Sequence, residues 1–149
     1  MSNPASLSIL IDQANNETDT AFRLLQKLSE ELRGARSQLS QLYSYRHDYA
    51  QRLQKETQAG VSASNYQNFR RFIATLDQAI LQQNTVVARI EEKLQRGRQQ
   101  WQGQKRRLNS YETLLERNLR DQRIRASRTE QRASDEISGN LLRRAAQSH

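Results

Sequence analysis

Few residues in this chain could perform covalent or acid–base chemistry. The histidines are His47 and His149, which leaves no means of building a histidine-based triad or a multi-histidine metal cluster. There is no cysteine, so disulfides, thiolate metal sites and cysteine nucleophiles are excluded. The five glycines stand singly and make no phosphate-cradling loop. Asp135 and Glu136 form a carboxylate pair, but adjacent helical residues diverge, and a solvated tail accounts for them. No catalytic residue, metal or cofactor is expected, and the chain is not read as an enzyme. What remains is the chemistry of recognition, carried by arginine. Lys and Arg number 24 against 16 Asp and Glu, a net charge of +8. Twenty of the 24 basic residues are arginine, whose planar fork suits directed contacts to carboxylate or phosphate.

The charge is uneven. Residues 1–60 hold seven basic and seven acidic side chains, whereas residues 89–128 hold 12 basic and five acidic, a net +7. Arg106, Arg107, Arg117, Arg120 and Arg123 belong to this basic stretch. It reads in three ways: a solvated face, a nucleic-acid surface binding phosphates, or a surface for an acidic protein. Aromatic interleaving is sparse, with Trp101 and Tyr111 as its aromatic residues, so nucleic acid is not expected and the acidic protein is favoured. A bulky apolar face suited to a membrane surface is missing.

The elements that position these residues follow from composition and period. Hydrophobic residues make up 35% of 149, below the roughly 45–50% of ordinary globular chains. One proline and five glycines enforce few turns, which favours long helices over sheets. Stepping by four and three from Leu7 gives Leu7, Ile11, Ala14, Thr18, Ala21, Leu25, Leu28, Leu32, Ala35, Leu39, Leu42, Arg46, Tyr49 and Leu53, with 12 of the 14 apolar. The same walk from Phe69 to Leu115 finds 11 of 14, the exceptions being Gln83, Gly97 and Gln104. A mean repeat of about 3.5 residues marks a coiled-coil seam.

Between the seams, Gly60 fits a left-handed helix cap, and Ser64 with Gln67 fits a capping box. The expectation is an all-α chain: a long two-helix antiparallel coiled-coil hairpin forming a single domain over residues 1–149. Helix 1 spans about 4–59, the turn about 60–64, helix 2 about 65–135, and a flexible tail about 136–149. Pairing Leu53 with Phe69 and Leu7 with Leu115 uses one register throughout. It sets Ala21 against Trp101, Leu25 against Gly97, Ala35 against Val87, and Thr18 against Gln104. Small residues then meet large ones, as dense packing requires. Two matches are poor, Arg46 against Leu76 and Leu39 against Gln83; the Arg46 stem can snorkel past the seam. Beyond Leu115 helix 2 has no partner within the chain and forms a C-terminal overhang.

Some apolar residues lie off the seams. Phe72, followed by Leu76, Ala79 and Gln83 at helical spacing, makes a stripe near the turn that reads either as a protein-docking surface or as a local widening of the core. Phe22, Leu24, Tyr43 and Tyr45 are similar on helix 1. No window approaches the ~18 apolar residues of a membrane span, and the first residues lack the basic start of a signal peptide, so a cytoplasmic protein is expected. A chain that dimerises through its seam is the structural alternative; a nucleic-acid-binding coiled coil is the other.

Three groups of residues carry a family resemblance. The first is Leu39, Leu42, Tyr45, Arg46, Tyr49 and Leu53. The second is Gly60, Tyr66, Phe69, Phe72, Ile73, Leu76, Ala79, Ile80 and Gln83. Trp101, Lys105, Leu108, Leu115, Glu116, Arg117 and Asp135-Glu136 continue it. With the chain's size, they make it similar to the FliJ family of the bacterial flagellar type III export apparatus over about residues 5–140. The resemblance implies an antiparallel coiled coil similar to the central stalk of rotary ATP synthases. It implies a non-enzymatic protein that sits in the pore of the hexameric export ATPase and promotes its assembly and activity. Contact with the linker of the membrane export-gate protein, and the handling of empty export chaperones, are also implied. The gate contact maps onto Phe72, Leu76, Ala79 and Gln83. The ATPase contact is expected at the basic end, represented by Arg106, Arg107, Arg117, Arg120 and Arg123. A monomer is expected, cytoplasmic and peripheral to the inner membrane through its partners.

Overall fold

The computed structural model describes residues 3–147 and consists of two helices, α1 Pro4–Ala59 and α2 Ala63–Gln147. No strand occurs among the described residues. The two helices pack antiparallel, so the chain is the all-α helical hairpin that its period indicates. Ser148 and His149, at the end of the expected tail, lie outside the described residues. Residues 136–147 continue α2, so that helix runs on past the end expected near residue 135. No helix is long and apolar enough to cross a membrane.

Local chemistry sets the helix ends. Asn3 Oδ1 accepts a hydrogen bond from the Ala5 N–H at 3.2 Å, and Pro4 occupies the first helical position, where its missing N–H costs nothing. At the other end of α1, Gly60 has φ 87°, a conformation that a Cβ would strain. Its N–H donates to the Thr57 carbonyl at 3.3 Å. The cap of α2 differs from the one expected. Ser62, not Ser64, accepts from the Asn65 N–H, at 3.2 Å. Ser64 already lies within the first helical turn, whereas Ser62 stands just outside it with its hydroxyl able to reach an orphan N–H.

All 28 seam positions from Leu7 to Leu53 and from Phe69 to Leu115 are buried or half-buried. Packing divides the chain into two compact units, one of residues 19–102 and the other of residues up to Thr18 together with those from Gly103 onward. In the first unit Leu28, Leu32, Ala35, Val87 and Leu94 form the core cluster, with Leu25, Leu39 and Ile90 packed against it. Leu28 and Leu94, Leu32 and Ile90, and Ala35 and Val87, which the expected register sets opposite one another, all fall within this cluster or against it. Gly97 lies close beneath α1 side chains: a Cβ there would meet Leu25 Cδ2 at 3.1 Å. The ring of Trp101, expected against Ala21, packs beside Phe22 with centroids 6.2 Å apart.

Hydrogen bonding resolves both poor matches. Arg46 Nε donates to Asp77, and the Asp77 carboxylate, through this bond and its charge, raises the Arg46 pKa above its ordinary value. Gln83 Nε2 donates to the Ala35 carbonyl at 2.9 Å and to Gln38 Oε1 at 3.2 Å. A polar seam residue satisfied across the helices favours one register over its neighbours. Arg36 and Glu91 add an ion pair at 2.9 Å.

In the second unit Leu7 and Ala14 are 1% and 2% exposed. The α2 residues Gln104, Leu108, Tyr111 and Leu115 are half-buried. From Leu119 onward every described residue is exposed except Gly139.

One stability prediction follows from an exposed helical glycine. No atom lies within 4 Å of a Cβ built at Gly34. Gly34→Ala is therefore expected to stabilise the protein by about 1 kcal/mol, the helix-propensity difference. Thermal denaturation followed by circular dichroism would read this as a higher Tm, and a lower Tm would show an unrecognised role for that glycine.

Candidate functional site

Two surfaces are built from residues singled out by the sequence. Near the turn, α2 carries Phe72, Leu76, Ala79 and Gln83 on successive turns. Phe72 is 42% exposed and Leu76 only 7%, while Ala79 and Gln83 are half-buried. Leu76 therefore belongs to the buried seam, and the Gln83 amide is engaged with α1. Phe72 supplies the open apolar part of the stripe, and Ala79 supplies a small neighbouring edge.

The surroundings of Phe72 add a feature that the sequence reading missed. Its ring stacks against Tyr49 with centroids 4.3 Å apart and a 39° tilt. Tyr49 also meets Phe69 at 6.2 Å. These rings, with Asn65 and Asn68, line an open groove of about 230 Å³. The Arg52 guanidinium lies over the Tyr49 ring, 5.6 Å from its centroid, a geometry that adds cation–π attraction. Tyr49 and Phe69 read as seam residues in one dimension. Their meeting with off-seam Phe72 depends on the rotation of both helices beside the turn. Tyr43 and Tyr45 are exposed on α1, so the off-seam reading holds for them.

The second surface is the basic end of α2. Arg106, Arg107, Arg117, Arg120 and Arg123 are all exposed. The structure does not bring all five together, since they lie on different sides of one long helix. Arg107 Nη1 stands 3.9 Å from Glu17 Oε2, a long, solvated pair of small energetic weight. Arg117 lines a shallow groove of about 420 Å³ with Asn109, Ser110, Thr113 and Leu114. Past it, Leu119, Ile124, Ile137, Leu141 and Leu142 stand exposed. The sequence walk stopped at Leu115 and passed over these side chains because they no longer follow the seam repeat.

No group of three or more His, Cys, Asp or Glu suited to hold a metal ion occurs among the described residues. His47 is exposed on α1. The aromatic groove offers apolar contact, and the arginine-bearing helix offers positive charge.

The family model described as "Flagellar FliJ protein" matches residues 3–147. The "Flagellar FliJ protein" of Escherichia coli (strain K12) is 29% identical over 138 residues, covering 93% of this chain and 94% of the relative. That of Salmonella typhi is 28% identical over 138 residues, with the same coverage of both chains. A match from residue 3 to residue 147 takes in both helices, the turn and the overhang, and on that ground the chain belongs to the flagellar FliJ family.

Proposed function

We propose that this protein acts in flagellar export without chemistry of its own, as a stalk-like coiled coil that binds other components. As a FliJ-family member it is a component of the flagellar protein-export apparatus. The basic end of α2 binds the hexameric export ATPase and promotes its assembly and activity. The surface around Phe72, with Leu76, Ala79 and Gln83, docks on the linker of the membrane export-gate protein. Empty export chaperones are further partners. The protein works as a monomer in the cytoplasm and reaches the inner membrane through these contacts.

The observation that carries this reading is the exposed end of α2: a long helix, rich in arginine, whose described residues beyond Asn118 are all exposed except Gly139. Such a helix can be steered to a surface of opposite charge. Its effect on ATP hydrolysis comes from binding one conformation of the ring more tightly than another.

The gate contact is tested with Phe72→Asp. Phe72 is 42% exposed, so the fold tolerates the change, whereas an apolar docking site does not. Helicity is expected to stay within error of wild type while capture of the purified gate linker falls at least ~10-fold, the loss expected at an aromatic hot spot. Undiminished capture would remove Phe72 from the docking surface. Sedimentation checks the oligomeric state: a single monomeric species is expected across concentrations, and a concentration-dependent dimer would favour the seam-dimer alternative. Tight binding of DNA or RNA at physiological salt would favour the nucleic-acid reading.

A further inference from the structure

The two compact units are held by unequal means. Residues 19–102 contain the buried cluster of Leu28, Leu32, Ala35, Val87 and Leu94. Cross-helix bonds from Arg36, Arg46 and Gln83 reinforce it. In the other unit, α1 residues 4–18 bury Leu7 and Ala14. The strip they lie on, Gln104, Leu108, Tyr111 and Leu115, is nowhere more than half-buried. That interface also contains polar defects. Gln104 Oε1 is buried with no hydrogen-bond partner. Thr18 Oγ1 turns back to the Ala14 carbonyl at 2.7 Å instead of reaching α2. The Glu17–Arg107 pair is 3.9 Å long. Local opening occurs where apolar burial is thin and buried polar groups are poorly satisfied.

Charge adds a second, independent asymmetry. No Lys or Arg precedes Arg23, and residues 4–18 carry Asp12 and Glu17. Residues 103–128 of α2 hold eight Lys and Arg against three Asp and Glu. An acidic amphipathic helix thus covers part of a basic one. The covered strip does not end with its cover: Leu119, four residues after Leu115, is exposed.

We propose that residues 4–18 are a releasable strap, an autoinhibitory occupant of α2 whose place is taken by an acidic amphipathic helix of a partner protein. The proposal rests on the reading that the basic end of α2 binds partners, and it adds how that surface is regulated. Release uncovers Leu108, Tyr111 and Leu115, joins them to Leu119 in one apolar strip, and separates Arg107 from Glu17. The incoming helix restores both the apolar cover and the negative charge.

The test uses the full chain and no export component, so its outcome is separate from that of the partner assignment. In native-state hydrogen exchange, amides of residues 4–18 are expected to exchange roughly 100-fold faster than those of residues 25–39, as a low-stability unit does. Equal rates would overturn independent release. Leu7→Asp, which places a charge at the most buried position of the strap, is expected to abolish protection over residues 4–18 and retain it over 25–39. Loss of both together would also overturn it. A labelled synthetic peptide with the sequence of residues 3–19 then serves as the acidic helix. It is expected to bind Leu7→Asp at least ~10-fold more tightly than wild type, because the site is no longer occupied in cis. Added salt should weaken that binding. Equal binding to both proteins, or none to the opened variant, would overturn the strap as a competitor for an acidic helix.

Discussion

Replacing Arg117, Arg120 and Arg123 together by glutamate is expected to weaken binding of the export ATPase at least ~100-fold while leaving the helix content unchanged. All three side chains are exposed on α2, so none supports the core. Each exposed ion pair is worth about 0.2–1 kcal/mol, and reversing the sign turns attraction into repulsion of similar size. Three reversals thus amount to a few kcal/mol, and tenfold in affinity is about 1.4 kcal/mol. Association should slow more than dissociation accelerates, because long-range steering acts on encounter. The cost to the free helix is small. Arg120 lies four residues after Glu116, and Arg117 four before Asp121, and such pairs contribute only a few tenths of a kcal/mol each. Titration with purified ATPase at several salt concentrations reads the effect, with stimulation of ATP hydrolysis as a second measure. Wild-type affinity in the triple variant would place the ATPase contact elsewhere.

The second large effect is on the fold. Leu94 is 5% exposed and sits within the core cluster with Leu28 and Val87. Leu94→Asp removes that apolar contact and sets a carboxylate among the leucines of the cluster. Losing the packing of a buried leucine costs about 2–5 kcal/mol, and taking a carboxylate out of water into the cluster adds to that cost. That is comparable with the whole stability of a small protein, about 5–15 kcal/mol, so residues 19–102 are expected to be largely unfolded. Leu142→Asp is the control. Leu142 is 72% exposed, and its replacement should shift stability by less than ~0.5 kcal/mol. Urea denaturation followed by circular dichroism distinguishes the two. A Leu94→Asp protein with a near wild-type midpoint would mean that the cluster is not the core of its unit.

Much of the fold could be read from the sequence because a coiled coil writes its geometry into one period. A residue at seam spacing faces the other helix wherever it lies, and the turn supplies the rest through one glycine that needs a positive φ. Pairs such as Ala35 with Val87, and Leu28 with Leu94, then follow from the register alone. Contacts between residues just off the seam were less legible. Phe22 beside Trp101, and Phe72 over Tyr49, depend on how far each helix is rotated about its own axis. Polar residues on the seam were the other difficulty. Gln83 fits the stripe of Phe72 by spacing, yet its amide is tied to the α1 backbone. Hydropathy shows that such a residue interrupts the seam, not where its hydrogen bonds go. The same holds at the start of α2, where Ser62 and Ser64 are chemically equivalent and only the backbone decides which one caps.

The account depends most directly on α1 lying antiparallel against α2 in one molecule. Arg36 and Glu91 are joined by a 2.9 Å ion pair although 55 residues separate them. The chain has no native cysteine, so nitroxide labels attach at Arg36→Cys and Glu91→Cys alone. Diluting the labelled protein with unlabelled protein keeps the measurement within single molecules. A narrow electron-spin distance distribution below ~20 Å, the span of two packed helices with their side chains, is the predicted result. A distribution near ~80 Å, the rise of one unbroken helix over the same interval, would contradict the hairpin and every role assigned to it.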